Sequence, residues 1–153
     1  MENESLLGIV NSFFQNNTQR CFFIDYGEFM SLRKLKNAKR RYANYNKDKE
    51  IPLLLVDDTF FRSAKKGILL TNSYLYYRLY SKRGSSVIKK GKFPINKITN
   101  LYLNIGRMGS ELVINNQKEA FTTAFGIDEP KKTEGEILNR LFDLIFKSLN
   151  LDE

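Results

Sequence analysis

The sequence predicts an α+β fold: a meander of about seven short antiparallel strands, with helices before it and one helix after it. Three observations lead there. Apolar residues recur at helical spacing up to about residue 45, the period drops to two after Pro52, and helical spacing returns after GIDEPKK.

The elements follow in order. Leu6, Ile9, Val10, Phe13 and Phe14 share one face of a helix over 5–16, with Ser5 placed to cap it. The apolar run CFFI, residues 21–24, reads as a strand or a docking loop. A second helix is predicted from Glu28 to Tyr45, with Phe29, Leu32, Leu35, Ala38 and Tyr42 as its apolar stripe. Its other face, in RKLKNAKRR, carries six cations in nine residues. Leu53–Val56 then form a strand, and Ile68–Thr71 a second, which turns at Asn72-Ser73 into the alternating strand Tyr74–Tyr80. Val87–Ile95 make a basic strand, and Ile98–Ile105 another. Leu112–Ile114 pair across Asn115-Asn116 with Phe121–Phe125. Thr133 with Glu136 has the capping-box spacing, ahead of a helix presenting Ile137, Leu138, Leu141, Phe142, Leu144, Ile145 and Leu149.

Composition narrows the function. There is no His among the 153 residues and a single cysteine, Cys21. The usual general base, the commonest metal ligand and any Ser-His or Cys-His nucleophile are therefore missing, and we expect neither catalysis nor a cofactor or metal. One cysteine excludes an intrachain disulfide framework. No apolar run approaches the ~20 residues of a membrane-spanning helix. MENESLLGIVNSFF has no basic leader, so a cytoplasmic protein is expected. The net charge of +8 is unevenly spread. Lys/Arg against Asp/Glu stand at nine to six over residues 1–50, eleven to two over 51–110, and five to nine over 111–153. The excess positive charge thus sits in the central block, where it can attract phosphate-bearing partners.

The stretch LVDDTFFRSAKKGILLTNSYLYY resembles a motif of bacterial pleckstrin-homology-like (PH-like) domains. That motif has an apolar strand, an Asp-Asp-Thr loop, a Ser-Ala-Lys-x-Gly step, a second apolar strand, a Thr-led turn and a Tyr-rich strand. A helix with the spacing of Leu35, Ala38 and Tyr42 precedes it, and the likeness spans about residues 30–148. Phe61-Arg62 stands where a small residue is expected. The resemblance implies a PH-like barrel of about seven antiparallel strands capped by a C-terminal helix, over 49–150, with an N-terminal helical extension over 1–48. It also implies a binding module without catalysis, whose ligands are phosphoinositides, peptides or partner proteins.

Three groups of residues are candidates for binding. Arg62, Lys65 and Lys66 occupy the loop that supplies phosphate-binding cations in lipid-binding PH domains, with Lys89, Lys90 and Lys92 converging from a neighbouring strand. The alternative is that the Ser-Ala-Lys step shapes a turn. Tyr74, Tyr76 and Tyr80, interleaved with Arg78, line one face of a strand, either to stack on a partner or to be covered by the N-terminal helices. The basic helix face is a solvated surface or a site for an anionic partner. Adjacent strand residues point to opposite faces, so Asp57 and Asp58 are expected to hold loop backbone rather than to share a proton or a metal. The expected function is an intracellular module docking a protein partner, of adaptor or immunity type. The alternative is an anionic surface, lipid headgroup or nucleic acid, read by the basic block.

Overall fold

The computed structural model describes residues 3–16, 21–27, 30–59, 63–129 and 131–151. Helix α1 spans Asn3–Asn16, strand β1 Ile24–Tyr26 and helix α2 Leu32–Arg41. Strands β2 (Pro52–Asp57), β3 (Gly67–Thr71), β4 (Tyr74–Tyr80) and β5 (Ile88–Pro94) follow. After a 3-10 turn at Ile95–Lys97 come β6 (Leu101–Ile105), β7 (Ser110–Ile114), β8 (Gln117–Thr122) and helix α3 (Lys131–Leu151). All pairings are antiparallel, in the order β1-β2-β3-β4-β8-β7-β6, with β5 hydrogen-bonded to β4. The sheet curls into a half-barrel, and α1 and α3 contribute to the core inside it. The α+β class, the meander between Pro52 and Thr122 and the closing helix are as the sequence predicts, and the architecture is consistent with a PH-like fold.

Two apolar layers hold the sheet. Inside the curl, Leu6, Val10 and Phe14 of α1 meet Leu53, Leu54, Val56, Ile68, Leu70, Leu75 and Leu79 of the strands, and Leu138, Leu141, Phe142 and Ile145 of α3. A bulge between Pro52 and Leu54 lets both Leu53 and Leu54 join this core. On the outer face, Leu55, Leu69 and Tyr76, aligned across β2, β3 and β4, lie under Ala38, Tyr42, Ala43 and Tyr45. Strands β2 and β3 are therefore covered on both sides. That is why they read as continuous apolar runs while β6 keeps its alternation.

Several boundaries and faces differ from the sequence reading. α2 is shorter than the predicted 28–45. Ser31 caps it by accepting the Lys34 amide at 3.3 Å, and the amides of Tyr42 and Ala43 both close on the Ala38 carbonyl at 2.9 Å. Glu28 and Phe29 lie outside the described residues. Leu32 leaves the predicted stripe and is 82% exposed, because the buried line runs Lys34–Ala38–Tyr42 at i, i+4 spacing. α3 starts at Lys131, so Thr133 lies inside its first turn and its hydroxyl bonds Glu129 rather than capping. Leu144 is exposed and Phe146 takes its place in the core. The run at 21–24 yields a strand displaced to 24–26. No helix among the described residues is long and apolar enough to cross a membrane.

Leu141 is fully buried between α3 and the strands. Leu141→Ala is predicted to lower stability by about 2–5 kcal/mol, the range for truncating a buried Leu. Urea unfolding followed by circular dichroism measures it, and a loss below about 0.5 kcal/mol, typical of surface substitutions, would mean that α3 does not plug the barrel.

Candidate interaction surface

The loop from β2 to β3 is built by two adjacent carboxylates that part company. Asp57 turns to the outer layer. Its Oδ1 accepts the amides of Thr59 (3.0 Å) and Ala64 (3.1 Å), and its Oδ2 lies 3.2 Å from the Lys34 ammonium on α2. Thr59 Oγ1 in turn accepts the Ser63 amide at 2.8 Å, and Asn37 of α2 donates to the Ser63 carbonyl at 2.8 Å. Asp58 turns the other way. Its Oδ1 accepts the amide (3.1 Å) and hydroxyl (2.7 Å) of Thr123, just after β8. Burial pushes the Asp58 carboxyl up, opposed in part by the Thr123 hydroxyl and the Lys66 charge. The pair thus serves the scaffold, and among the described residues no group of three His, Cys, Asp or Glu side chains is placed to hold a metal.

The predicted cations separate into two kinds. Lys65 is exposed, and its carbonyl accepts Arg78 Nη1 at 2.8 Å. Lys66 departs from the expected set of phosphate-binding loop cations. Its ammonium sits 3.8 Å over the Tyr80 ring and 3.9 Å from the buried Asp58 carboxylate. Arg62 lies outside the described residues, with Phe60 and Phe61. Lys89, Lys90 and Lys92 do not converge as a set, because residues alternate across a strand. Lys90 and Lys92 stand opposite Arg78 and Tyr76 on the outer face. Lys89 points to the other face, where it pairs with Glu119 at 3.2 Å, and Glu119 also accepts the Tyr77 hydroxyl at 3.3 Å. Lys90 reaches the Arg41 carbonyl at the end of α2 (3.1 Å), while Lys92 lies 4.1 Å over Tyr74. The basic helix face is likewise divided: Lys34 is buried in its ion pairs, Lys39 lies 4.9 Å over the Tyr45 ring, and Arg33, Lys36, Arg40 and Arg41 are exposed.

The tyrosines of β4 share a face, as expected, but Tyr76 is withdrawn from solvent at 2% exposure. Its hydroxyl donates to Glu50 (2.9 Å), which also accepts the Thr71 hydroxyl (2.8 Å) and the Asn46 amide (2.9 Å). Burial, then the Glu50 carboxylate, raise the Tyr76 hydroxyl well above the phenol range. Tyr74 and Tyr80 are half-buried under Lys92 and Lys66. The Glu50–Tyr76–Thr71 network and the buried role of Lys34 were not anticipated; their partners lie 9 to 26 residues away, and no local motif announces them.

The three sheet edges are treated differently. β1 is only three residues long. The edge of β6 is occupied by Asn139 of α3, which accepts the Leu103 amide (2.7 Å) and donates to the Leu103 carbonyl (2.9 Å), as a neighbouring strand would. β5 pairs only with β4 among the described residues. Its Ile88, Lys89, Lys90 and Lys92 are exposed, and Val87 just before it is 63% exposed. Gly91 makes the inner side of β5 close-packed: a Cβ there would stand 2.2 Å from the Tyr77 ring.

The outer face of the antiparallel half-barrel thus carries Lys90, Lys92 and Tyr74, Tyr76 and Tyr80 of β4, and ends at β5, which pairs only with β4 among the described residues. No family model, no curated protein and no solved structure matches this chain.

Two outcomes follow from the pairing. Lys65→Glu is predicted to leave stability within about 0.5 kcal/mol, as exposed substitutions do, whereas Lys66→Glu costs roughly 1–3 kcal/mol by leaving a buried carboxylate uncompensated. Equal losses in denaturant unfolding would refute that division. The second concerns pH. The folded chain holds the Asp58 proton to higher pH than the unfolded chain, so this group's contribution to stability declines as pH rises through that interval. Asp58→Asn should therefore gain on the wild type as pH rises above the ordinary carboxylate range, measured by urea unfolding at each pH; a difference that stays constant with pH rules the effect out.

Proposed function

We propose that this chain is a non-catalytic docking module for a protein partner, a PH-like domain of the bacterial kind working inside the cell in an adaptor or immunity role. The observation that carries the reading is the open edge of β5 beside exposed Lys90, Lys92 and Val87. An unpaired strand offers main-chain hydrogen bonds to a protein, and apolar side chains beside cations suit a protein surface better than a phosphate. The absence of chemistry is supported at the one thiol. Burial, then the Glu134 charge, push Cys21 up to about 11, so it is a protonated, poor nucleophile at neutral pH.

The anionic-surface reading has less behind it. A phosphate clamp needs several free cations converging on one point. Here Lys34, Lys66 and Lys89 are each paired with a carboxylate, and Lys90 and Lys92 lie along a strand rather than around a pocket.

The test uses the immobilised chain challenged separately with a native protein extract, total RNA and vesicles of anionic lipid. We expect proteins to be retained with a shallow dependence on salt up to about 0.5 M, and that retention to fall in the K90E/K92E variant. Retention of RNA or vesicles instead, decaying steeply with salt, would favour the anionic surface.

A further inference from the structure

We infer that β5 takes an extended, acidic segment of the partner as an added strand, with carboxylates on alternate residues meeting Lys90 and Lys92. The inference rests on the docking reading above and specifies its partner.

The argument begins with the edges. An unpaired edge invites any strand, and proteins close such edges by shortening, covering or charging them. β1 is short, and at the middle of β6 both main-chain groups of Leu103 are taken by the Asn139 amide of α3. β5 has seven residues, a regular register with β4 and no proline before its last position. Charge is the one guard left on it, and charge is selective. A second copy pairing antiparallel along β5 about Gly91 would set Lys90 of each copy against Lys92 of the other, and like charges directly opposite destabilise a pair. The same lysines favour a strand bearing acids, so the guard rejects this chain and admits an acidic one.

The register defines what the acidic strand looks like. Lys90 and Lys92 are two apart on the outer face, so the incoming carboxylates are spaced i, i+2. On the other face the incoming strand passes Gly91 and Phe93, with Phe93 stacked on Tyr77 at 6.4 Å, and Lys89 is already neutralised by Glu119. Apolar residues suit those alternate positions. Glu-Val alternation satisfies both faces, and exposed Ile88 with Val87 extends the apolar contact at one end.

The probe is a nine-residue peptide alternating Glu and Val, titrated into the full chain and followed through the backbone amide resonances of residues 88–93. Two further peptides are N-methylated, one at every Glu amide and one at every Val amide, because in a strand only one of those sets faces β5. We expect binding by the Glu-Val peptide, slowed amide exchange along β5, and loss of binding in one N-methylated isomer but not in the other. A Lys-Val peptide should not bind, and the K90E/K92E variant should weaken the Glu-Val peptide at least about tenfold. Equal binding by both N-methylated isomers would mean that carboxylates meet the lysines without adding a strand, overturning the inference while the docking reading stands. Absence of peptide binding, in a chain that still retains proteins and loses them in K90E/K92E, would do the same. If the K90E/K92E variant retains its proteins undiminished, the docking reading itself fails.

Discussion

The structure depends on how Asp57 and Asp58 divide between two layers. One carboxylate faces outward to Lys34 and fixes α2 on the sheet; the next faces Thr123 and fixes the chain that leaves β8 for α3. Both are buried, and a buried carboxylate is tolerated only when hydrogen bonds and a counter-charge replace water. The two acids thereby tie together the loop between β2 and β3, the outer helix and the far strand. Removing Lys34 would strand a charge beneath α2, a loss of about 3–5 kcal/mol by comparison with other broken buried pairs.

That division also sorts the positive charge. The central block carries eleven cations against two acids, yet its charge is not all available to a partner. Lys66 answers Asp58 and Tyr80, Lys34 from α2 answers Asp57, and Lys89 answers Glu119. Of the rest, Lys90 and Lys92 stand on the outer face of β5, and outside the block Lys36, Arg40 and Arg41 of α2 are exposed. A net charge read from composition overstates the surface because cations that neutralise buried acids contribute no attraction at a distance.

The open edge of β5 follows from the curl of the sheet. β4 turns its last residue, Tyr80, to Phe121 of β8, while β5 runs beside β4 along its whole length. The sheet's path thus continues from β4 through β8, and β5 is a side branch with β4 as its one partner among the described residues. At the far end, α3 supplies Asn139 to occupy the edge of β6. The edge of β6 therefore lies against α3, whereas β5 pairs only with β4 among the described residues.

The sequence by itself determined the central strands and their turns, although the last strand runs Gln117–Thr122 rather than Phe121–Phe125. Period-two patterning needs only that one side be drier than the other, and Asn115-Asn116, with φ of +53° and +66°, supplies the left-handed pair that a two-residue hairpin requires. It also determined that Asp57 and Asp58 face opposite ways, because alternation is a property of the extended chain. The alternation of Lys89 against Lys90 and Lys92 was legible by the same rule. Whether Tyr76 meets solvent, whether Leu32 is buried and which lysines are free were not. Tyr76 is covered by Ala38 of α2 and by Tyr42, Ala43 and Tyr45 after it, and Leu32 is exposed as Lys34 takes the buried line of that helix. Those outcomes belong to tertiary structure, since each is set by a counter-charge or a covering helix that arrives from a distant part of the chain and leaves no periodic mark on the residues it buries.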